Sequence, residues 1–157
     1  MEMRIGIVGC GLIGKKRARS IREGRLVACA DSDFSRAVAL AQEWPGAEPV
    51  AVWEDLIGRP DVDIVIVSTT HVALPEVAHA AALAGKHVLI EKPAARRAAE
   101  LEPVIAAAAK TGALVRVGFN HRYHPALRKA KGFRRNTAAR SKRSAFARKA
   151  SNSQANR

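Results

Sequence analysis

The sequence predicts an α/β fold, an open and doubly wound parallel sheet, and two patterns carry that prediction. Short, continuous apolar runs recur through the first two-thirds of the chain. Strands of that kind are buried on both faces, as in a parallel sheet covered by helices. Between the runs lie segments with helix punctuation, Asp or Pro at the start and Gly or Pro just past the end. Five strand–helix units within about 120 residues give an open sheet rather than a barrel.

Each element has its own signal. Arg4 to Val8 reads as the first buried strand, and Leu12 to Glu23 as a helix stopped by Gly24. Leu26 to Ala30 is a second strand. Asp33 takes the N-cap position of a helix that runs to Glu43 and ends before Pro45. Trp53 to Ile57 is a short helix. Asp63 to Ser68 is the strongest strand, continuous and β-branched. Pro75 to Ala84 is a helix that opens on Pro and stops at Gly85, and His87 to Ile90 is the fourth strand. Ala98 to Lys110 is an alanine-rich helix stopped at Gly112, followed by a fifth strand from Leu114 to Val117.

The charge is confined to one end. The chain has 157 residues and a net charge of +13, yet Met1 to Leu127 holds 16 Lys/Arg against 14 Asp/Glu, a balance of +2. Arg128 to Arg157 holds 11 Lys/Arg and no Asp/Glu, and has no Leu, Ile, Val or Met. Such a segment buries too little apolar surface to offset its ordering entropy. The expected organisation is therefore a folded domain over 1–127 and a basic tail over 128–157, disordered or weakly helical. Nucleic acid is expected to meet that tail only through non-specific charge. Cys10 and Cys29 supply no disulfide framework and read as buried free thiols, which suits a reducing cytoplasm. The start, MEMRIGIVG, lacks the apolar core of a signal peptide, and no apolar run approaches the ~20 residues of a membrane span.

The candidate chemistry gathers at strand ends. Gly9-Cys10-Gly11-Leu12-Ile13-Gly14 is GxGxxG, weak alone but here set between a strand and a helix. Gly9 permits the tight turn, Gly11 lets a pyrophosphate approach the backbone, and Gly14 lets helix and strand pack. The pattern marks a Rossmann-type sheet; the other reading, a glycine turn without ligand, lacks this context. Asp31 ends the second strand 20 residues after Gly11, where an acid bonds the ribose 2′-OH of NAD and repels the 2′-phosphate of NADP. The neighbouring Ser32 and Asp33 bring no Arg for such a phosphate, so NAD is the expected cofactor over NADP. Ser68-Thr69-Thr70-His71 follows the third strand and is expected to line the ligand crevice, although a plain Ser/Thr turn has the same composition. Lys92, after Glu91 at the end of the fourth strand, suits a proton-sharing or carbonyl-polarising role beside a nicotinamide; taken alone, it also reads as a surface Lys. His121 and His124 form His-x-x-His with no downstream Cys, His, Asp or Glu, so no metal site is expected.

These segments together resemble the Gfo/Idh/MocA oxidoreductases. The matches are Gly9 to Gly14, Asp31, Gly85-Lys-His-Val-Leu-Ile-Glu-Lys-Pro93, and Gly118-Phe-Asn-His-Arg-Tyr-His-Pro125, covering about residues 3 to 127. The resemblance implies an NAD(P)-binding N-terminal domain and hydride transfer on a sugar or polyol. It implies Lys92 beside the nicotinamide and the reacting hydroxyl, Glu91 and Asn120 near the cofactor, and a cis Lys92–Pro93 peptide. The chain departs from the family in two ways. The usual Thr-Pro-Asn after the third strand is Thr69-Thr70-His71, with Leu74 where a His is frequent. The family's second, substrate-holding α/β domain has no counterpart, as if the frame shifted or the chain stopped near residue 130. The expectation is a cofactor-binding half, inactive alone; a non-catalytic dinucleotide module and a nucleic-acid-associated protein are the alternatives. Which oligomer forms is not legible in the sequence.

Overall fold

The structure is a computed structural model and describes residues 2–131. The expected parallel sheet is present, with six strands: β1 (Met3–Val8), β2 (Gly24–Ala30), β3 (Glu48–Val50), β4 (Ile64–Val67), β5 (His87–Ile90) and β6 (Val115–Val117). Every neighbouring pair is parallel, in the order β3-β2-β1-β4-β5-β6. The order reverses between β1 and β4, and ligands bind at such a switch point, outside the carboxyl ends of the strands.

Side-chain alternation along the strands splits the core in two. One layer joins Val8, Val65 and Val67 to α3 (Trp53–Gly58), α4 (Leu74–Leu83) and α5 (Glu102–Thr111) through Leu56, Val77, Ala81 and Val104. The other joins Ile5, Ile7, Leu26 and Ile66 to α1 (Leu12–Ala18) and α2 (Phe34–Gln42) through Ala18, Ala37 and Leu40. Ile7, Leu40 and Leu56 are fully buried. Truncating any one to Ala costs about 2–5 kcal/mol at such sites.

The structure corrects three sequence-level readings. A sixth strand, β3, was absent from them, because Glu48-Pro49-Val50 is only three residues and contains Pro. It sits at the sheet edge, the place where strands tolerate Pro. Helix α1 stops at Ala18, not Glu23: the Ser20 hydroxyl donates back to the Lys16 carbonyl at 2.9 Å and the Ile21 amide closes a turn on Ala18. Gly24, expected as a helix stop, instead opens β2. The alanine-rich helix begins as a 3₁₀ turn over Ala98–Leu101 and becomes α-helical only at Glu102, with Pro103 in its first turn where the missing N–H costs nothing.

The chain divides into Met1–Gly118 and Phe119–Arg157. In the second unit a 3₁₀ turn spans Asn120–Tyr123 and a helix covers 125–131. The tail expected over 128–157 lies, from residue 132 on, outside the described residues. Among the described residues no helix is long and apolar enough to cross a membrane.

Candidate functional site

A cavity of about 650 Å³ opens at the carboxyl ends of β1, β2 and β4, and its walls include Gly9, Gly11, Leu12, Ile13, Asp31, Ser32, Ser68, Thr69 and Thr70. The local geometry follows from the glycines. Gly9 has φ +97°, and a Cβ there would stand 2.7 Å or less from the backbone of Ser68 and Thr69. No other residue fits that turn without displacing the end of β4. A Cβ on Gly14 would run into the Gly9 carbonyl, so α1 packs directly on the turn. Gly11 is the opposite case: a Cβ there would meet nothing within 4 Å, because its open side faces the cavity. Gly11 is also the N-cap of α1, and no side chain caps it. Open space over uncapped backbone is what a dinucleotide pyrophosphate requires, so this donor set fits the cofactor.

Two side chains hold the turn. The Asp31 carboxylate accepts from the Cys10 amide at 2.7 Å and from the Asp33 amide at 2.9 Å, one oxygen each. The first of these, Oδ2, keeps a lone pair for a further donor, whereas Oδ1 also accepts from the Ser32 hydroxyl at 3.5 Å. The Ser68 hydroxyl donates to the Gly9 carbonyl at 2.7 Å, tying β4 to the turn. Asp33 caps α2, accepting from the amide and hydroxyl of Ser35, and these bonds hold its carboxyl below the ordinary range. Cys10 is fully buried behind the turn and donates its thiol to the Ala30 carbonyl at 3.3 Å. Hydrogen bonding with Cys29 and then burial push the Cys10 thiol up, so it offers no thiolate here.

Several expected residues lie elsewhere. Gly14 and Cys10 support the cavity from behind and do not line it. His71 is exposed and outside its walls. Leu74, where a polar residue is frequent in the family, is 1% exposed and part of the core. Glu91 does not line this cavity; its carboxylate is buried and paired with Arg17 of α1. Lys92 is exposed on the turn after β5, and the Lys92–Pro93 peptide is cis. The buried Ala94 beside it has φ +76° and donates its amide to the Glu91 carbonyl at 2.8 Å. Asn120 belongs to the second unit, where it opens the 3₁₀ turn.

The structure also adds residues that the sequence reading missed. Arg36, in the first turn of α2, joins the wall near Asp31 and Ser32, its Nε 3.3 Å from the Asp33 carboxylate. No Arg adjoins Asp31 in the sequence, but the first turn of α2 brings Arg36 to the same wall. Val52, Trp53 and Glu54 close the far wall, because the short strand β3 leads directly into α3 there.

A six-stranded sheet in this order, with a glycine turn at its switch point, defines the class of NAD-binding Rossmann domains. The chain belongs to the Gfo/Idh/MocA oxidoreductase family, whose model with an NAD-binding Rossmann fold matches residues 3–119. It is 39% identical over 129 residues to an inositol 2-dehydrogenase of Gluconacetobacter diazotrophicus, covering 78% of this chain and 38% of that protein. An inositol 2-dehydrogenase of Acidothermus cellulolyticus is 38% identical, with 80% and 38% covered. Among solved structures, a 3-ketoreductase from Actinomadura kijaniata in complex with NADP superposes with a TM-score of 0.78 at 29% identity, covering 87% of this chain and 44% of that one. A myo-inositol dehydrogenase from Lactobacillus casei in complex with NAD(H) and myo-inositol reaches 0.80 at 22% identity, covering 87% and 42%, a likeness of fold alone. The chain thus spans about two-fifths of the length of the relatives it matches.

Proposed function

We propose that this chain is the dinucleotide-binding part of an NAD-dependent sugar or polyol oxidoreductase. The observation that carries the reading is the turn at Gly9–Gly14, whose Gly11 is open to the cavity while Gly9 and Gly14 are closed against protein backbone. In this reading the pyrophosphate lies over Gly11 and the N-terminus of α1. The Asp31 carboxylate, already oriented by two backbone amides, accepts from a ribose hydroxyl of the adenosine half. Ser32, Val52 and Trp53 border the adenine, and Thr69 and Thr70 face the middle of the dinucleotide. When bound, the nicotinamide supplies hydride chemistry at its C4. Lys92, exposed at the carboxyl edge of the sheet, takes the proton of the secondary alcohol as a neutral amine while hydride leaves the carbon, and returns it as an ammonium in the reverse direction. Glu91 acts through its neighbours rather than on the dinucleotide.

The substrate class rests on the inositol 2-dehydrogenases at 38–39% identity. Rate on a polyol depends on holding it against the nicotinamide in reacting geometry. With two-fifths of the relatives' length, this chain alone is expected to turn over polyols very slowly. Arg36 leaves a cation within reach of a 2′-phosphate, so NADPH is expected to bind too, more weakly than NADH. Titration of NADH and NADPH, read by energy transfer from Trp44 and Trp53 to the reduced nicotinamide, tests the assignment. Saturable binding with NADH tighter supports it; tighter NADPH, or no binding of either, refutes it.

A further inference from the structure

Among the described residues Glu91 is the one charged residue that is buried, at 8% exposure. Its carboxylate pairs with the Nε of Arg17, whose side chain is itself only 20% exposed. The other cations of α1 behave differently. Lys15 reaches Glu43 at 3.3 Å on the surface, and just past the helix Arg19 does the same. Arg17 alone turns inward, to the far end of β5. The site is closed behind by Gly118, where a Cβ would stand 3.1 Å from both Arg17 Nη2 and Glu91 Oε1. Gly118 is itself tied to β5, its amide donating to the Ile90 carbonyl at 2.8 Å. Three elements thus converge on one ion pair: the helix that starts at the glycine turn, the end of β5 and the end of β6.

Glu91 is also the root of the turn that carries Lys92. Its amide donates to Val67 at 2.9 Å, and its carbonyl accepts from Ala94. A buried ion pair is a poor source of net stability compared with apolar residues of the same volume, and its best-attested use is to fix one arrangement. The arrangement fixed here is that of the Lys92 turn against α1.

We propose that Arg17 and Glu91 are a positioning pair, which couples the glycine turn at the start of α1 to the turn that carries Lys92. The coupling to the cofactor rests on the dinucleotide reading above; the positioning of the turn does not. Neither residue is catalytic, since neither touches the reacting atoms. The pair sets where the Lys92 backbone stands, and a dinucleotide that tightens the start of α1 tightens that turn as well.

Native-state amide exchange tests this without turnover. In the neutral variant Arg17→Gln/Glu91→Gln, protection of the Glu91 and Ala94 amides falls about tenfold or more, the size expected for a lost charge-assisted hydrogen bond, while Ile7 and Val65 keep theirs. Arg17→Lys restores most of it, because the charge is retained. An equal loss at all four amides, no loss at Ala94, or an Arg17→Lys protein no better than the neutral one overturns the proposal. Should the neutral variant not fold, Arg17→Lys and Arg17→Gln carry the same comparison. In a second arm, NADH raises protection of Ala94 in the unaltered chain and leaves it unchanged in the neutral variant; equal protection in both overturns the coupling. If NADH changes no amide, including that of Gly11, the dinucleotide reading fails, and the first arm still decides the pair.

Discussion

The two edges of this sheet are built on opposite plans. At the amino edge a cavity of about 360 Å³ lies among Glu2, Pro60, Asp63, Lys86 and His87, and Asp63, Lys86 and His87 are each taken up by a protein partner. Arg4 grips Asp63 with two side-chain bonds and its amide. Lys86 donates to the carbonyls of Arg59 and Val62 at 2.7 and 2.9 Å, and the His87 ring accepts from the Leu114 amide. At the carboxyl edge side chains are withheld where the cavity meets the turn: Gly11 exposes backbone, and the helix behind it has no side-chain cap. One edge spends its polar atoms on itself, the other keeps them for a ligand. Cavity size alone does not make the distinction; unspent hydrogen-bonding capacity does.

That contrast can be broken by substitutions at either edge. The largest effect is expected at Gly9. Gly9→Ala forces a side chain into a left-handed conformation, costing about 1–3 kcal/mol, and drives its Cβ into the end of β4. Loss of detectable NADH binding with a lowered melting temperature is the expected outcome; unchanged calorimetric binding would count against the turn. Next comes Lys86→Met at the opposite edge, which leaves the Val62 carbonyl without its donor and the Arg59 carbonyl with only the Val62 amide at 3.4 Å, and costs about 1–3 kcal/mol. Denaturant titration should show that loss while NADH affinity stays within about twofold, a margin of roughly 0.4 kcal/mol. Asp31→Ala should weaken NADH about tenfold, near the value of a hydrogen bond to a charged group, and narrow the gap to NADPH. A protein that still prefers NADH as strongly as before would free Asp31 from the ribose. The smallest effect is one of pH. Hydrogen bonding to Arg4 lowers the Asp63 carboxyl from 3.8 to about 2. Stability from this pair is complete above the unfolded value and is lost as pH falls from about 4 through about 2. Asp63→Asn should flatten the acid limb of a melting curve over that window, while NADH binding at neutral pH is unaffected.

Most of this architecture is legible in the residues. The short, β-branched apolar run Ile64–Val67 reads as a strand covered on both faces, and the glycines mark the turn because backbone stands where a Cβ of Gly9 or Gly14 would be, while Gly11 leaves its side open to the cavity. Strand β3 escaped because three residues with a central Pro carry no periodicity. Arg36 and Trp53 escaped because their place in the wall depends on how α2 and α3 dock, a tertiary fact with no local signal. Glu91 shows the limit of motif reading. The motif put it near the cofactor, yet its carboxylate is spent on Arg17, 74 residues away in sequence. A buried partner at that separation is set by the sheet order, which brings β5 alongside β4 and so within reach of α1.

If only the carboxyl edge of this sheet keeps hydrogen-bonding capacity for a ligand, a dinucleotide must perturb that edge and leave the other untouched. Backbone amide shifts of the uniformly labelled chain, followed as NAD⁺ is added, read both edges at once. The predicted result is saturable shifts at Gly9, Cys10, Gly11, Asp31, Ser68 and Thr69, with Asp63, Lys86 and His87 unmoved. Shifts centred on Lys86 and His87, or none at Gly11, would contradict it.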